Sequence, residues 1–141
     1  MCAKRLDGKV ALITGAASGI EGEVMGIGGA CARRFAREGA NVVVTDLDAE
    51  RGAVTAAQIE TEETDGGAIF VPLDVTDEDQ WVRAIVKAVS NYGRLDILIH
   101  CAGTATAGTV ENTPANEWDA MMAVHANGVF LGTKHAIPEM R

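Results

Sequence analysis

The chain has 141 residues, 48% hydrophobic and 23% charged, which is enough for one domain with a real core. Its net charge of −8 argues against a nucleic-acid or anionic-membrane partner, and no apolar run approaches the length of a transmembrane helix. The first eight residues carry no signal-peptide core, and Cys2, Cys31 and Cys101 are isolated and odd in number, as suits free thiols in a reducing cytoplasm.

The first predicted strand is Val10-Ala11-Leu12-Ile13, an apolar run of the kind buried on both faces of a parallel sheet. It runs into Thr14-Gly15-Ala16-Ala17-Ser18-Gly19-Ile20, a turn of small residues, and helical character resumes over Ala30–Ala36. Strand, glycine turn and helix make a phosphate site: glycines admit close backbone approach, and the helix N-terminus supplies unpaired N–H groups. The second strand is predicted over Asn41–Thr45, with Asp46 just past its end. Asp48 can cap a helix from about Ala49 to Glu60, with Ala53 and Ala57 available for packing. A turn at Asp65-Gly66-Gly67 leads to the third strand, Ala68–Val71, which Pro72 stops.

Thr76-Asp77-Glu78-Asp79 resembles a capping box, and the helix after it carries Trp81, Ile85, Ala88, Val89 and Tyr92 on one face, with Gly93 closing it. Leu95–Ile99 is the fourth predicted strand. Thr113 is the expected cap of a last helix with Pro114 at its first position. That helix has an apolar face of Trp118, Met122, His125, Val129 and Ala136, and Pro138 ends it. Alternating strands and helices predict an α/β fold. It is a Rossmann-type parallel sheet flanked by helices, with four strands in the order 3-2-1-4 and ligands bound at the carboxyl ends of the strands.

At those ends lie the glycine turn, Asp46, Asp74 in Leu73-Asp74-Val75, and His100-Cys101-Ala102-Gly103. With Thr14-Gly15-x-x-x-Gly19-Ile20, Asp46, Asp74-Val75, Leu95-Asp96-Ile97-Leu98 leading to Ala102-Gly103, and Phe130-Leu131-Gly132-Thr133-Lys134, the chain closely resembles the short-chain dehydrogenase/reductase family over nearly its whole length. The resemblance implies NAD(P)-dependent oxidation of an alcohol or reduction of a carbonyl. Asp46 in particular implies NAD, because a carboxylate repels a 2′-phosphate. It implies a cofactor site of Gly15, Ser18, Gly19, Ile20, Asp46, Leu47, Asp74, Val75, Cys101, Ala102 and Gly103. Within it Asp74 and Val75 would meet adenine, and Ala102 and Gly103 would lie under the nicotinamide ribose.

Three departures from the family pattern stand out. Glu21 takes the place of the third glycine, and Glu21–Ile27 reads as a seven-residue insertion after which Gly26-Ile27-Gly28 repeats the end of the motif. Two carboxylates, Glu21 and Glu23, then stand near an anion site, which predicts a looser loop and weaker cofactor binding. The alternative is a surface bulge with Gly28 as the third glycine. His125 takes the place of the family's asparagine in a proton relay, and His100 and Cys101 stand where asparagines are usual. His125 reads as a half-buried structural histidine. The spacing of these three supports no metal site.

The family's catalytic serine and Tyr-x-x-x-Lys are the third departure. The one tyrosine, Tyr92, has Asp96 rather than lysine four residues on, and Ser90 and Tyr92 end a helix away from the cofactor face. The expectation is one NAD-binding domain over 1–141, incomplete at its C-terminus and inactive alone, whose parent acts on a small secondary alcohol or ketone. Self-association is expected of it. The rival readings are a non-catalytic nucleotide- or partner-binding module and a non-functional truncated product.

Overall fold

The computed structural model describes residues 4–62 and 66–141. Cys2, and Asp65 of the turn predicted at 65–67, lie outside the described residues. Four parallel strands, β1 (Val10–Thr14), β2 (Asn41–Asp46), β3 (Ala68–Pro72) and β4 (Ile97–Ile99), form one sheet in the order β3-β2-β1-β4. Leu12 of β1 stands opposite Val43 of β2 and Leu98 of β4. Alternate side chains feed two cores. Val10, Leu12 and Val43 pack with Trp81, Ile85 and Ala88, while Ala11, Ile13, Val42 and Val44 pack with Ala32, Ala36 and Ile59 on the other face. The chain leaves β1 toward β2 on one side and reaches β4 on the other, so the crevice expected of such sheets opens at the carboxyl end of β1.

The fourth strand is shorter than predicted. Asp96 spends its carboxylate on the Val10 N–H at 2.9 Å and on Arg94, so it ties the strand's entry instead of extending it. Among the described residues β4 pairs only with β1, and its three residues are half-buried.

The helices are α1 (Ile27–Arg37), α2 (Ala49–Thr61), α3 (Glu78–Tyr92), α4 (Ala115–Met122) and α5 (Gly128–Ala136). Asp48 caps α2 by accepting the Arg51 N–H at 3.0 Å. The buried face of α2 is Gly52, Thr55, Ala56 and Ile59, whereas Ala53 and Ala57 are exposed. The reason is Phe70 of β3, whose ring lies where a Gly52 side chain would be.

In α3 the cap is Asp77 rather than Thr76. Asp77 accepts the Gln80 N–H at 3.1 Å and its side-chain amide at 3.0 Å, while the Thr76 hydroxyl is spent on Asp74 at 2.7 Å. Gly93, with φ of 80°, closes the helix.

The last helix departs most from expectation. Pro114 is its cap and not its first residue, and Thr113 donates back to the Thr109 carbonyl at 2.9 Å across a 3₁₀ turn, Val110–Asn112. A π-helical turn, Ala123–Asn127, separates α4 from α5, and a 3₁₀ turn, Ile137–Met140, carries Pro138. The wider π turn changes the angular phase of α5 relative to α4. Of the predicted apolar face only Ala136 is buried, Trp118 is 55% exposed, and Gly128 and Gly132 supply the remaining buried positions of α5.

Candidate functional site

The site is built from the ends of the strands. Gly15 turns the chain at φ of 64°, and a Cβ there would sit 2.7 Å from the Ala102 nitrogen. Thr14 accepts the N–H groups of Cys101 at 3.1 Å and Ala102 at 3.0 Å, fixing the loop after β4 beside the turn after β1. The Ala16 N–H donates to the Thr45 carbonyl at 3.1 Å. Asp46 is the last residue of β2, and its carboxylate accepts the N–H groups of Ala17 at 3.0 Å and Asp48 at 3.1 Å. Asp74 accepts the Thr76 N–H at 2.9 Å and is positioned by its own N–H, which donates to Gln80 at 2.8 Å.

These segments surround a cleft of about 280 Å³. Gly15, Ser18, Asp46, Leu47, Asp74, Val75, Cys101, Ala102 and Gly103 all line it. Leu73, Thr104 and Val124 line it as well, and sequence reading did not find them. For Leu73 and Thr104 the signal was adjacency to singled-out residues; Val124 carried none. Thr14, which fixes the cleft floor by its hydroxyl, was visible only as part of the motif. A polar side chain at the last position of a buried strand was its signal.

Gly19 and Ile20, expected at the phosphate end, do not line the cleft. The Gly26 N–H donates to the Ser18 carbonyl at 2.8 Å and closes the base of a loop formed by residues 19–25. That loop lies over α2: Gly19 N–H donates to Thr55 at 3.3 Å, Glu21 N–H to Gln58 at 2.9 Å, and Glu23 pairs with Arg51 at 2.7 Å. Buried Arg33 binds the Gly19 carbonyl, Gln58 and Glu62 from beneath. Burial lowers the Arg33 pKa, partly offset by Glu21. Helix α1 starts at Ile27 with Gly26 as its cap, and a Cβ on Gly28 would collide with the Gly15 carbonyl. Gly28 is thus the glycine that lets α1 pack against the backbone of the turn, beside the cleft-lining Gly15.

His125 is exposed, not half-buried. Its Nε2 lies 2.7 Å from the Thr104 carbonyl oxygen and 3.1 Å from the Thr104 nitrogen, and its ring covers Gly103. Asn127 is exposed two residues on. His100 stacks edge-on against Trp81 at 5.6 Å, and burial pushes its pKa down. Burial pushes the Cys101 thiol up, as does neighbouring Cys31. Among the described residues no three His, Cys, Asp or Glu side chains are grouped to hold a metal. Ser90 donates to the Lys87 carbonyl at 3.1 Å, and the Tyr92 phenol is raised by burial and by Glu60. Both lie at the end of α3, which leads into the amino end of β4, opposite the cleft.

Chemically, the cleft offers two carboxylates, Asp46 and Asp74, that can accept hydroxyls, and the N-terminus of α1 packs against the glycine turn at its edge, an arrangement that suits a dinucleotide. A family model described as enoyl-(acyl carrier protein) reductase matches residues 19–141. The chain is 45% identical to the 2,5-dichloro-2,5-cyclohexadiene-1,4-diol dehydrogenase of Sphingobium indicum, covering 98% of this chain and 52% of that protein. It is 40% identical to the trans-4-hydroxycyclohexanecarboxylate dehydrogenase of Sinomonas cyclohexanicum, over 97% of this chain and 52% of that protein. The chain therefore spans about half the length of the curated relatives it matches. A solved structure described as a putative short-chain dehydrogenase/reductase, from Burkholderia xenovorans, superposes with a TM-score of 0.87 at 33% identity, covering 98% of this chain and 53% of that one. Sheet order, the glycine turn and these matches agree: the chain belongs to the short-chain dehydrogenase/reductase family.

Proposed function

We propose that residues 1–141 form the NAD-binding part of a cytoplasmic dehydrogenase acting on a small secondary alcohol or the matching ketone. The observation that carries the reading is Asp46, which stands at the carboxyl end of β2, lines the cleft and is aimed by the Ala17 N–H at 3.0 Å. A carboxylate there accepts the paired hydroxyls of an adenosine ribose and repels a 2′-phosphate. Gly15, Ser18 and the N-terminus of α1 would hold the pyrophosphate, which the close approach of Gly28 to Gly15 permits. Asp74 and Val75 would meet the adenine, Leu47 would flank the ribose, and Cys101, Ala102 and Gly103 would support the nicotinamide ribose. The bound nicotinamide supplies the hydride chemistry. Ring alcohols in the names of two relatives support the substrate class.

No side chain in the cleft combines an acidic phenol with a lysine, and the one tyrosine lies at the opposite end of the sheet. Proton transfer to the substrate oxygen therefore needs groups beyond these residues, so these residues alone bind NAD without turning over alcohols. Calorimetric titration of the chain with NAD and NADP tests the reading. NAD should bind more tightly, and tighter NADP would overturn the role of Asp46.

A further inference from the structure

Arg51 is the only Lys or Arg between Arg37 and Arg83, the stretch of sequence that carries Asp46, Leu47, Asp74 and Val75 of the cleft. A short chain of bonds places it. Asp46 accepts the Asp48 N–H at 3.1 Å, and Asp48 accepts the Arg51 N–H at 3.0 Å. Two hydrogen bonds through Asp48 therefore link the Arg51 backbone, in the first turn of α2, to the Asp46 carboxylate. A guanidinium in that place is the group best suited to hold a phosphate, through its planar fork of donors. Here the fork is taken. Its Nη2 lies 2.7 Å from Glu23, and its Nε lies 4.0 Å from Asp48. Glu23 reaches it from the loop of residues 19–25.

We propose that Glu23 is a specificity-determining residue that withholds Arg51 from a 2′-phosphate and so sharpens the preference for NAD. The proposal rests on the dinucleotide reading above and adds to Asp46 a second, independent discriminator. Asp46 repels a 2′-phosphate directly, whereas Glu23 removes the cation that would compensate for that repulsion. Both side chains of the Glu23–Arg51 pair are well exposed, at 46% and 39%, so the pair adds little to stability. Its effect falls on which charged ligand can approach, the usual consequence of charge placed at the rim of a site.

The test is calorimetric titration of the whole chain, its Glu23→Gln variant and the Glu23→Gln/Arg51→Ala double variant with NAD and with NADP. Glu23→Gln should raise the affinity for NADP relative to NAD by about fivefold, with NAD affinity itself little changed, and Arg51→Ala should cancel the gain. If the parent chain binds NAD in preference and the ratio does not move in Glu23→Gln, this proposal falls and the NAD reading stands. A gain that survives Arg51→Ala overturns the role given to Arg51. A parent chain that binds neither nucleotide, or prefers NADP, overturns the NAD reading and this proposal with it. Exposure of Glu23 makes misfolding of the variant an unsuitable explanation, and thermal melting of each variant checks it.

Discussion

The Asp46 carboxylate accepts the Ala17 N–H at 3.0 Å, so the acid ending the second strand is held against the glycine turn after the first. One side chain thus both shapes the turn and presents charge to the cleft. Asp46→Asn keeps the shape, loses the charge and gives up part of the hydrogen bond. We expect NAD affinity to fall by about tenfold while NADP affinity changes less, the ordinary cost of losing a charge-assisted bond. Parallel titrations with the two nucleotides would show it. An equal loss for both would mean the carboxylate acts on the turn alone.

Deleting Glu21–Ile27 should leave the fold intact, because Gly19-Ile20 can then lead directly into Gly28. The loop lies over α2 and outside the cleft lining, so NAD affinity should change by less than about threefold, within the small entropic effect of loop length. NADP should bind more tightly, since Glu23 goes with the loop. Tighter NAD binding in the deletion would show instead that the loop obstructs the site.

Arg33 is 5% exposed and joins the Gly19 carbonyl to Gln58 and Glu62 of the α2 end. Arg33→Ala leaves the Gly19 carbonyl without this donor, while Gln58 keeps the Glu21 N–H and Glu62 keeps Arg37, and should lower stability by about 2 kcal/mol, the scale for an unsatisfied buried acceptor. Urea unfolding measures this; a loss under about 0.5 kcal/mol, as for an ordinary surface residue, would show that the network is not needed.

Acid should loosen the molecule at two surface clamps. Hydrogen bonds from Arg5, and then Arg34, hold the Glu38 carboxyl down to about 2 from an ordinary 4.5. Lys134 and His135 likewise depress Glu78, bracing α5 against α3. A carboxyl lower in the folded than the unfolded state adds stability that is complete above its unfolded pKa and is lost as pH falls through the folded one. The melting-temperature gap between the parent and Glu38→Gln should therefore be widest at neutral pH and close between about 4.5 and about 2. A gap that stays constant over that range would exclude the clamp.

The purified chain should self-associate and should not reduce NAD with a panel of secondary alcohols. Among the described residues the outer edge of β4 is unpaired, and Trp118 and Phe130 are 55% and 63% exposed, a combination that invites pairing between chains. Light scattering beside absorbance at the nicotinamide band tests both. A monodisperse monomer would remove the edge argument, and turnover free of contaminating enzymes would point to His125 or Tyr92.

The sheet was legible because its strands are short apolar runs bounded by glycine, proline or aspartate, and Val10–Ile13 needs no partner to be recognised. The ends of helices were legible only by residue type. Thr76 and Asp77 are both good caps, and Gln80, three residues after Asp77, decided between them. The region after Pro114 misled because periodicity assumes one uniform helix. The π turn at Ala123–Asn127 shifts the phase, so glycines replace the expected apolar stripe. In the glycine motif the duplicated Gly-Ile was visible. That its second copy starts α1 depends on the Ser18–Gly26 bond, which spacing does not reveal.

That bond has a use in engineering. Because Ser18 and Gly26 are already held together by it, the span between them is a side branch whose two ends meet irrespective of its length. Foreign sequence grafted at Val24, which is 92% exposed, or new termini opened there by permutation, would hang from a fixed anchor without stretching the scaffold. A reporter domain placed at that branch would ride beside Arg51 and the start of α2, two hydrogen bonds from the cleft-lining Asp46.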